Sequence, residues 1–333
     1  MNYRKKKYWV LALMLMGIAY WVWLARAPHY EYAQHELPAD FDTYYQQQLD
    51  KSRQLKARPG NEEKLIRFAP KTGLVFLYIH GFTASRAEGE YVMDSIANLY
   101  QANTYYMRLP GHGTNKYDHA AASFRDYLNA GMDALQMVQT LGDTVVVVGV
   151  SMGGLVATYL TSQRPDLVDA LVLSSPFYNY GFSAGNALKI PGALKLIQWK
   201  DGPDRPMQRS DEWKKKIREG YDNYWYPEQL YQSVQSLEDL RNFAARDKFF
   251  EKVSPPVLLM YYYKDEDHQD GAAKVADMLD AYAQFESTRK QDPRNKLVAM
   301  PEGEHVMMSH YVICNQAPVF EELEGFLGRL RGE

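Results

Sequence analysis

From Leu65 onwards the chain alternates short apolar runs with longer stretches whose apolar residues recur every three or four positions. The runs Leu74–Ile79, Thr104–Leu109, Thr144–Val150, Ala170–Ser175, Val257–Tyr263 and Lys296–Met300 predict six strands. Four consecutive valines in the third run suit a strand covered on both faces, as in a parallel sheet. Ser123–Leu141 places Phe124, Tyr127, Leu128, Met132, Leu135 and Val138 at helical spacing, and Met152–Gln163 and Glu321–Leu330 also read as helices. This alternation predicts an α/β domain with a mostly parallel central sheet flanked by helices. Between Pro176 and Pro256 the strand pattern stops. Helical patches near Asp211–Glu219 and Pro227–Phe243 predict an inserted helical cap, at about residues 176–254, over the sheet edge where parallel sheets bind ligands.

The N-terminal pattern is different. Arg4, Lys5, Lys6 and Lys7 precede a charge-free run, Tyr8–Ala25, with aromatic residues towards its ends. Such a run predicts a transmembrane helix, and the basic cluster before it predicts a cytoplasmic N-terminus with the remainder outside the cytoplasm, periplasmic if the cell is Gram-negative. The alternative is a secreted protein, since Ala25-Arg26-Ala27 fits a signal-cleavage site near Ala27. On this reading residues 1–27 form a membrane anchor and residues 28–64 a polar linker with a helix around Phe41–Lys56. Residues 65–333 form the α/β domain with its cap.

Composition narrows the function. Of 333 residues 46% are hydrophobic, enough for a large core. A net charge of -3 argues against a nucleic-acid partner. A single cysteine, Cys314, excludes an internal disulfide.

The chemistry gathers at strand ends. Gly149-Val150-Ser151-Met152-Gly153 is a G-x-S-x-G turn between a strand and a helix, which predicts Ser151 as an exposed nucleophile on a strained turn. An oxyanion hole would take one backbone amide from Met152 and a second from Phe82, in the HGFTAS loop after the first strand. The base must come late in the chain. His305, just after Lys296–Met300, fits better than His310, which reads as a surface residue. The acid belongs after Val257–Tyr263, where Asp265 lies nearest the strand end and Asp267 is the alternative. Glu266 and Asp270 read as a solvated acidic turn. The cluster fails calcium-loop spacing, so no metal is expected.

HGFTAS, LPGHGT (Leu109–Thr114), GVSMGG and the late GEH resemble the α/β-hydrolase family, most of all its monoacylglycerol lipase, lysophospholipase and carboxylesterase branch. The resemblance covers Leu65 to the C-terminus. It implies the α/β-hydrolase fold with a cap, Ser151, Asp265 and His305 as a triad, Phe82 and Met152 as oxyanion donors, and no cofactor. The expected activity is a membrane-anchored serine hydrolase of lipid-derived esters. Phe177, Tyr178 and Phe182 at the start of the cap, with Tyr180, Leu188, Ile190, Leu194, Ile197 and Trp199, are candidates for an acyl-chain pocket. An aminopeptidase or thioesterase on the same triad, or a non-catalytic binding module of the same fold, are the alternatives.

Overall fold

A computed structural model of the chain describes residues 3–24, 28–206 and 209–332. Its nine strands are β1 (Lys64–Ile66), β2 (Thr72–Ile79), β3 (Asn103–Met107), β4 (Gly142–Val150), β5 (Ala170–Ser174), β6 (Asp204–Pro206), β7 (Glu228–Leu230), β8 (Val257–Tyr262) and β9 (Lys296–Met300). Seven of them form one sheet in the order β1-β3-β2-β4-β5-β8-β9. Only β1 runs antiparallel, against β3; every other neighbour is parallel. All six expected strands are present with ends shifted by no more than two residues. β1 escaped notice because three half-buried residues carry no readable period.

The valine run shows why the sheet is two-sided. Val145 and Val147 pack into one hydrophobic cluster, with Leu77, Leu135, Leu155, Val156 and Leu171. Val146 and Val148 point the other way, into a second cluster with Phe76, Val92, Leu323 and Phe326. Successive side chains on a strand alternate faces, so four valines in a row serve two cores at once. Each is essentially inaccessible to solvent, and such burial is worth about 1.5–3 kcal/mol per side chain.

The segment before the sheet is tied down. The helix Phe41–Gln54 is capped by Asp40, whose carboxylate accepts from the Thr43 amide at 2.8 Å. Phe41, Tyr44 and Tyr30 enter the main core, and the Tyr30 hydroxyl donates to Asn129 Oδ1 at 2.8 Å.

The single-pass membrane anchor is not supported. Among the described residues no helix is long and apolar enough to cross a membrane. The helix Tyr3–Leu24 takes in the whole basic run Arg4–Lys7, so it is not apolar along its length. An extracytoplasmic placement deduced from that anchor falls with it. The Ala25-Arg26-Ala27 site lies outside the described residues.

Between β5 and β8 the chain leaves the sheet and builds a mostly helical excursion, whose longest element is Tyr231–Ala244. It also holds the short antiparallel ribbon β6–β7, which the sequence pattern did not suggest because three-residue strands are too short to show alternation. The excursion roofs the C-terminal ends of β2, β4, β5 and β8, and the space beneath it is the candidate site.

Candidate active site

Ser151 sits between β4 and the helix Met152–Gln163 with φ 52° and ψ -119°. A non-glycine residue at positive φ is strained by on the order of 1–3 kcal/mol and persists only where its surroundings enforce it. Two glycines let them do so. A Cβ on Gly149 would lie 2.6 Å from the Gly153 carbonyl oxygen, and one on Gly153 would lie 2.1 Å from the Ile79 carbonyl oxygen. The turn can therefore close on itself and on the end of β2 only if both positions lack a side chain. The Ser151 amide donates to the Ser174 carbonyl at 3.0 Å, which fixes the turn to the neighbouring strand.

The imidazole of His305 stands over this serine. Its Nε2 is 2.9 Å from Ser151 Oγ and its Nδ1 is 2.7 Å from Asp270 Oδ2. Asp270, not Asp265 or Asp267, is thus the carboxylate joined to the histidine, and the sequence-based choice of acid is corrected. The reason lies in the backbone. After β8 the chain turns out and back: Tyr263 bridges Gln269, the Lys264 amide donates to the His268 carbonyl, and the Asp270 amide returns to the Tyr262 carbonyl at 3.1 Å. Asp270 therefore lies beside the strand end despite its distance along the chain. Asp265 stays at the tip, half exposed, with its carboxylate 2.7 Å from His268 Nδ1. That hydrogen bond holds the Asp265 carboxyl below the usual range. Asp267 lies at the tip too and lines the pocket mouth with His268.

Asp270 is 3% exposed, not solvated. Its Oδ1 accepts from the Ala272 and Ala273 amides, both at 2.9 Å. These amides belong to the residues that follow Asp270 as the chain turns back, and no local pattern marked them. Burial opposes charging His305, but the Asp270 carboxylate against it prevails and holds its pKa above the ordinary 6.5.

The HGFTAS loop lies against the serine. His80 is fully buried, and burial pushes its pKa down to about 4, so the neutral ring accepts from the Leu109 amide at 3.1 Å through Nε2. Thr83, at φ 66°, gives its carbonyl to the Tyr226 amide of the excursion at 3.0 Å. Phe82 and Met152, the expected oxyanion donors, both line the cavity with Ser151. Among the described residues neither amide is engaged by another protein group.

The cavity measures about 890 Å³. Phe177, Tyr180, Phe182 and Leu188 line it as expected, whereas Ile190, Leu194, Ile197 and Trp199 do not. Tyr178 does not: it is buried in the core, against Phe250, with its hydroxyl 2.7 Å from Thr158 Oγ1. Tyr221, Trp225, Val234 and Leu237 complete the apolar wall and were missed. Nothing in their local pattern distinguishes a cavity wall from ordinary packing. No cluster of three or more His, Cys, Asp or Glu suited to a metal ion occurs among the described residues.

A parallel sheet with a serine on a strained turn behind its β4 strand, and an imidazole–carboxylate pair above it, defines the hydrolase class of α/β proteins. The chain belongs to the alpha/beta hydrolase family, whose model matches residues 74–316. A thermostable monoacylglycerol lipase from Bacillus sp. (strain H-257) is 28% identical over 119 residues, 34% of this chain and 46% of that protein. The chain thus spans about half the length of that relative. Among solved structures, that of LipS and LipT, two metagenome-derived lipolytic enzymes, aligns with TM-score 0.64 and 18% identity, covering 83% of this chain and 100% of that one. The monoacylglycerol lipase of Paleococcus ferrophilus aligns with TM-score 0.54 and 14% identity, over 73% of this chain and 90% of that one. At such identities the solved structures speak for the fold alone.

Proposed function

We propose that this protein is a serine hydrolase of carboxylic esters, with Ser151 as nucleophile, His305 as base and Asp270 as the acid that orients it. The observation that carries this reading is the unbroken chain from Ser151 Oγ through His305 to the buried Asp270. Ser151 attacks the acyl carbonyl while His305 Nε2 takes its proton. Asp270 keeps the remaining ring proton on Nδ1 and stabilises the imidazolium. The Phe82 and Met152 amides receive the negative charge of the tetrahedral intermediate, each such donor being worth about 3 kcal/mol of barrier. Collapse expels the alcohol, which takes the proton from His305. Water activated by the same histidine then releases the acid and restores Ser151.

A cavity of about 890 Å³ beside the serine, whose aromatic and aliphatic wall is joined by charged side chains such as Arg209, Lys216 and Glu304, suits an acyl chain with a polar head. The monoacylglycerol lipase among the relatives makes lipid-derived monoesters the class to try first. The test is a fluorophosphonate probe together with a panel of nitrophenyl esters of graded chain length. Labelling and hydrolysis should both occur and both vanish in Ser151→Ala. An unlabelled native protein would reject the reading, and turnover of aminoacyl anilides without esters would replace it with a peptidase.

A further inference from the structure

The short turn Arg86–Glu88 drives a second carboxyl into the site. Glu88 is 2% exposed and lines the cavity. Its Oε2 accepts from the Gly81 amide at 2.5 Å, one residue before the Phe82 amide. A Cβ on Gly81 would lie 2.8 Å from Glu88 Oε1 and 3.1 Å from Ser151 Cβ, so glycine alone separates this carboxyl from the nucleophile. The titratable groups facing it are Tyr78 on β2, Tyr221 in the excursion and His305 after β9, with Glu90 beyond Tyr78. Among the described residues no lysine or arginine forms an ion pair with it. A carboxyl taken out of water without a cation keeps its proton; burial pushes that of Glu88 up to about 8.

We propose that Glu88 is a positioning residue of the oxyanion loop: its uncharged carboxyl clamps the Gly81 amide and so aims the Phe82 amide at the reaction centre, and its ionisation shuts the site down on the alkaline side. This rests on the hydrolase reading above. The neutral acid accepts one hydrogen bond from Gly81 and adds no charge where the oxyanion forms. Once ionised, it sets a negative charge against the developing alkoxide from a position that is itself buried from solvent. The same charge would favour the His305 imidazolium. Both ring nitrogens of His305 are already committed to Ser151 and Asp270.

The test compares native protein, Glu88→Gln and Glu88→Ala by kcat and KM on a nitrophenyl ester across the pH range, with fluorophosphonate labelling of each. Native kcat should fall with a midpoint near 8. Glu88→Gln retains an acceptor for the Gly81 amide and cannot ionise, so that fall should vanish. Glu88→Ala should lose about tenfold to a hundredfold in kcat at neutral pH with KM little changed, because a misaimed donor affects the transition state more than binding. A labelled native protein whose alkaline fall survives in Glu88→Gln overturns this proposal alone. So does a Glu88→Ala variant with native kcat. A native protein that neither labels nor turns over ester overturns the hydrolase reading and this proposal together. Should Glu88→Ala fail to fold, the near-isosteric Glu88→Gln profile decides the matter.

Discussion

The turn that carries Ser151 and the turn that carries Asp270 meet at one imidazole but are held by different means. The serine turn is tight and local. Its strain is imposed by contacts within a few residues and by the end of β2, where Gly153 leaves no room for a side chain. The acid turn is long and open: the chain runs out past Asp265 and returns, and a Cβ on Gly271 would touch nothing within 4 Å. The first turn is therefore written in its own sequence. The second is defined by where its ends are anchored, to Tyr262 on one side and to the Ala272 and Ala273 amides on the other. Asp270, eight places beyond the strand end at Tyr262, thus lies closer to it than Asp265, three places beyond.

The largest effect tests the first turn. Ser151→Ala should lower kcat by on the order of 10⁶-fold and abolish probe labelling, since the members of such a triad act as a unit. Steady-state kinetics on the best ester measures it. The comparison between candidate acids comes next. Asp270→Asn should cost on the order of 10⁴-fold in kcat by favouring the wrong imidazole tautomer. Asp265→Asn and Asp267→Asn, at the exposed tip, should stay within about twofold. If Asp265→Asn were the crippled variant, the turn would have to be re-registered.

Stability distinguishes the two turns as well. Gly153→Ala must push its methyl against the Ile79 carbonyl and should cost at least about 3 kcal/mol, read as a fall in denaturation midpoint or as failure to fold. Gly271→Ala should stay within about 0.5 kcal/mol of native in the same measurement. Equal losses at the two glycines would show that the acid turn is as tightly built as the elbow. The smallest effect is a shift in pH. His305 must be neutral to take the Ser151 proton, and its folded pKa is raised above 6.5. Activity should therefore fall as pH drops, with a midpoint above 6.5. The residual activity of Asp270→Asn should have that midpoint moved to lower pH, because the carboxylate favours the charged ring. Asp265→Asn should leave it in place. A pH–rate profile of the three proteins sharpens or breaks the assignment.

Much of the molecule was legible beforehand. The long strands announce themselves by apolar runs, most plainly where a strand buried on both faces is apolar throughout, as Val145–Val148 is; the edge strand β9 is half exposed. Ser151 and His305 were legible because chain order and strand ends constrain both. β1, β6 and β7 were not, being too short to show a period. The N-terminal helix misled for a different reason: an apolar run stands out by eye, but the helix Tyr3–Leu24 takes in the basic residues at its start, and among the described residues no helix is long and apolar enough to cross a membrane.

Sequence alone marked the elbow, because glycine at 149 meets a steric requirement inside the turn itself, while glycine at 153 answers the end of β2. It also determined the two-sided sheet, because alternation along a strand is a property of the backbone. Only the tertiary structure decided that Asp270 reaches His305, that Tyr178 belongs to the core while Tyr221 and Trp225 wall the cavity, and that Glu88 is buried against Gly81. Each of these depends on where a flexible segment is pinned by residues distant in the chain. Hydrogen bonds and excluded volume across that distance, not the local pattern, select one arrangement from the many that the segment itself would allow.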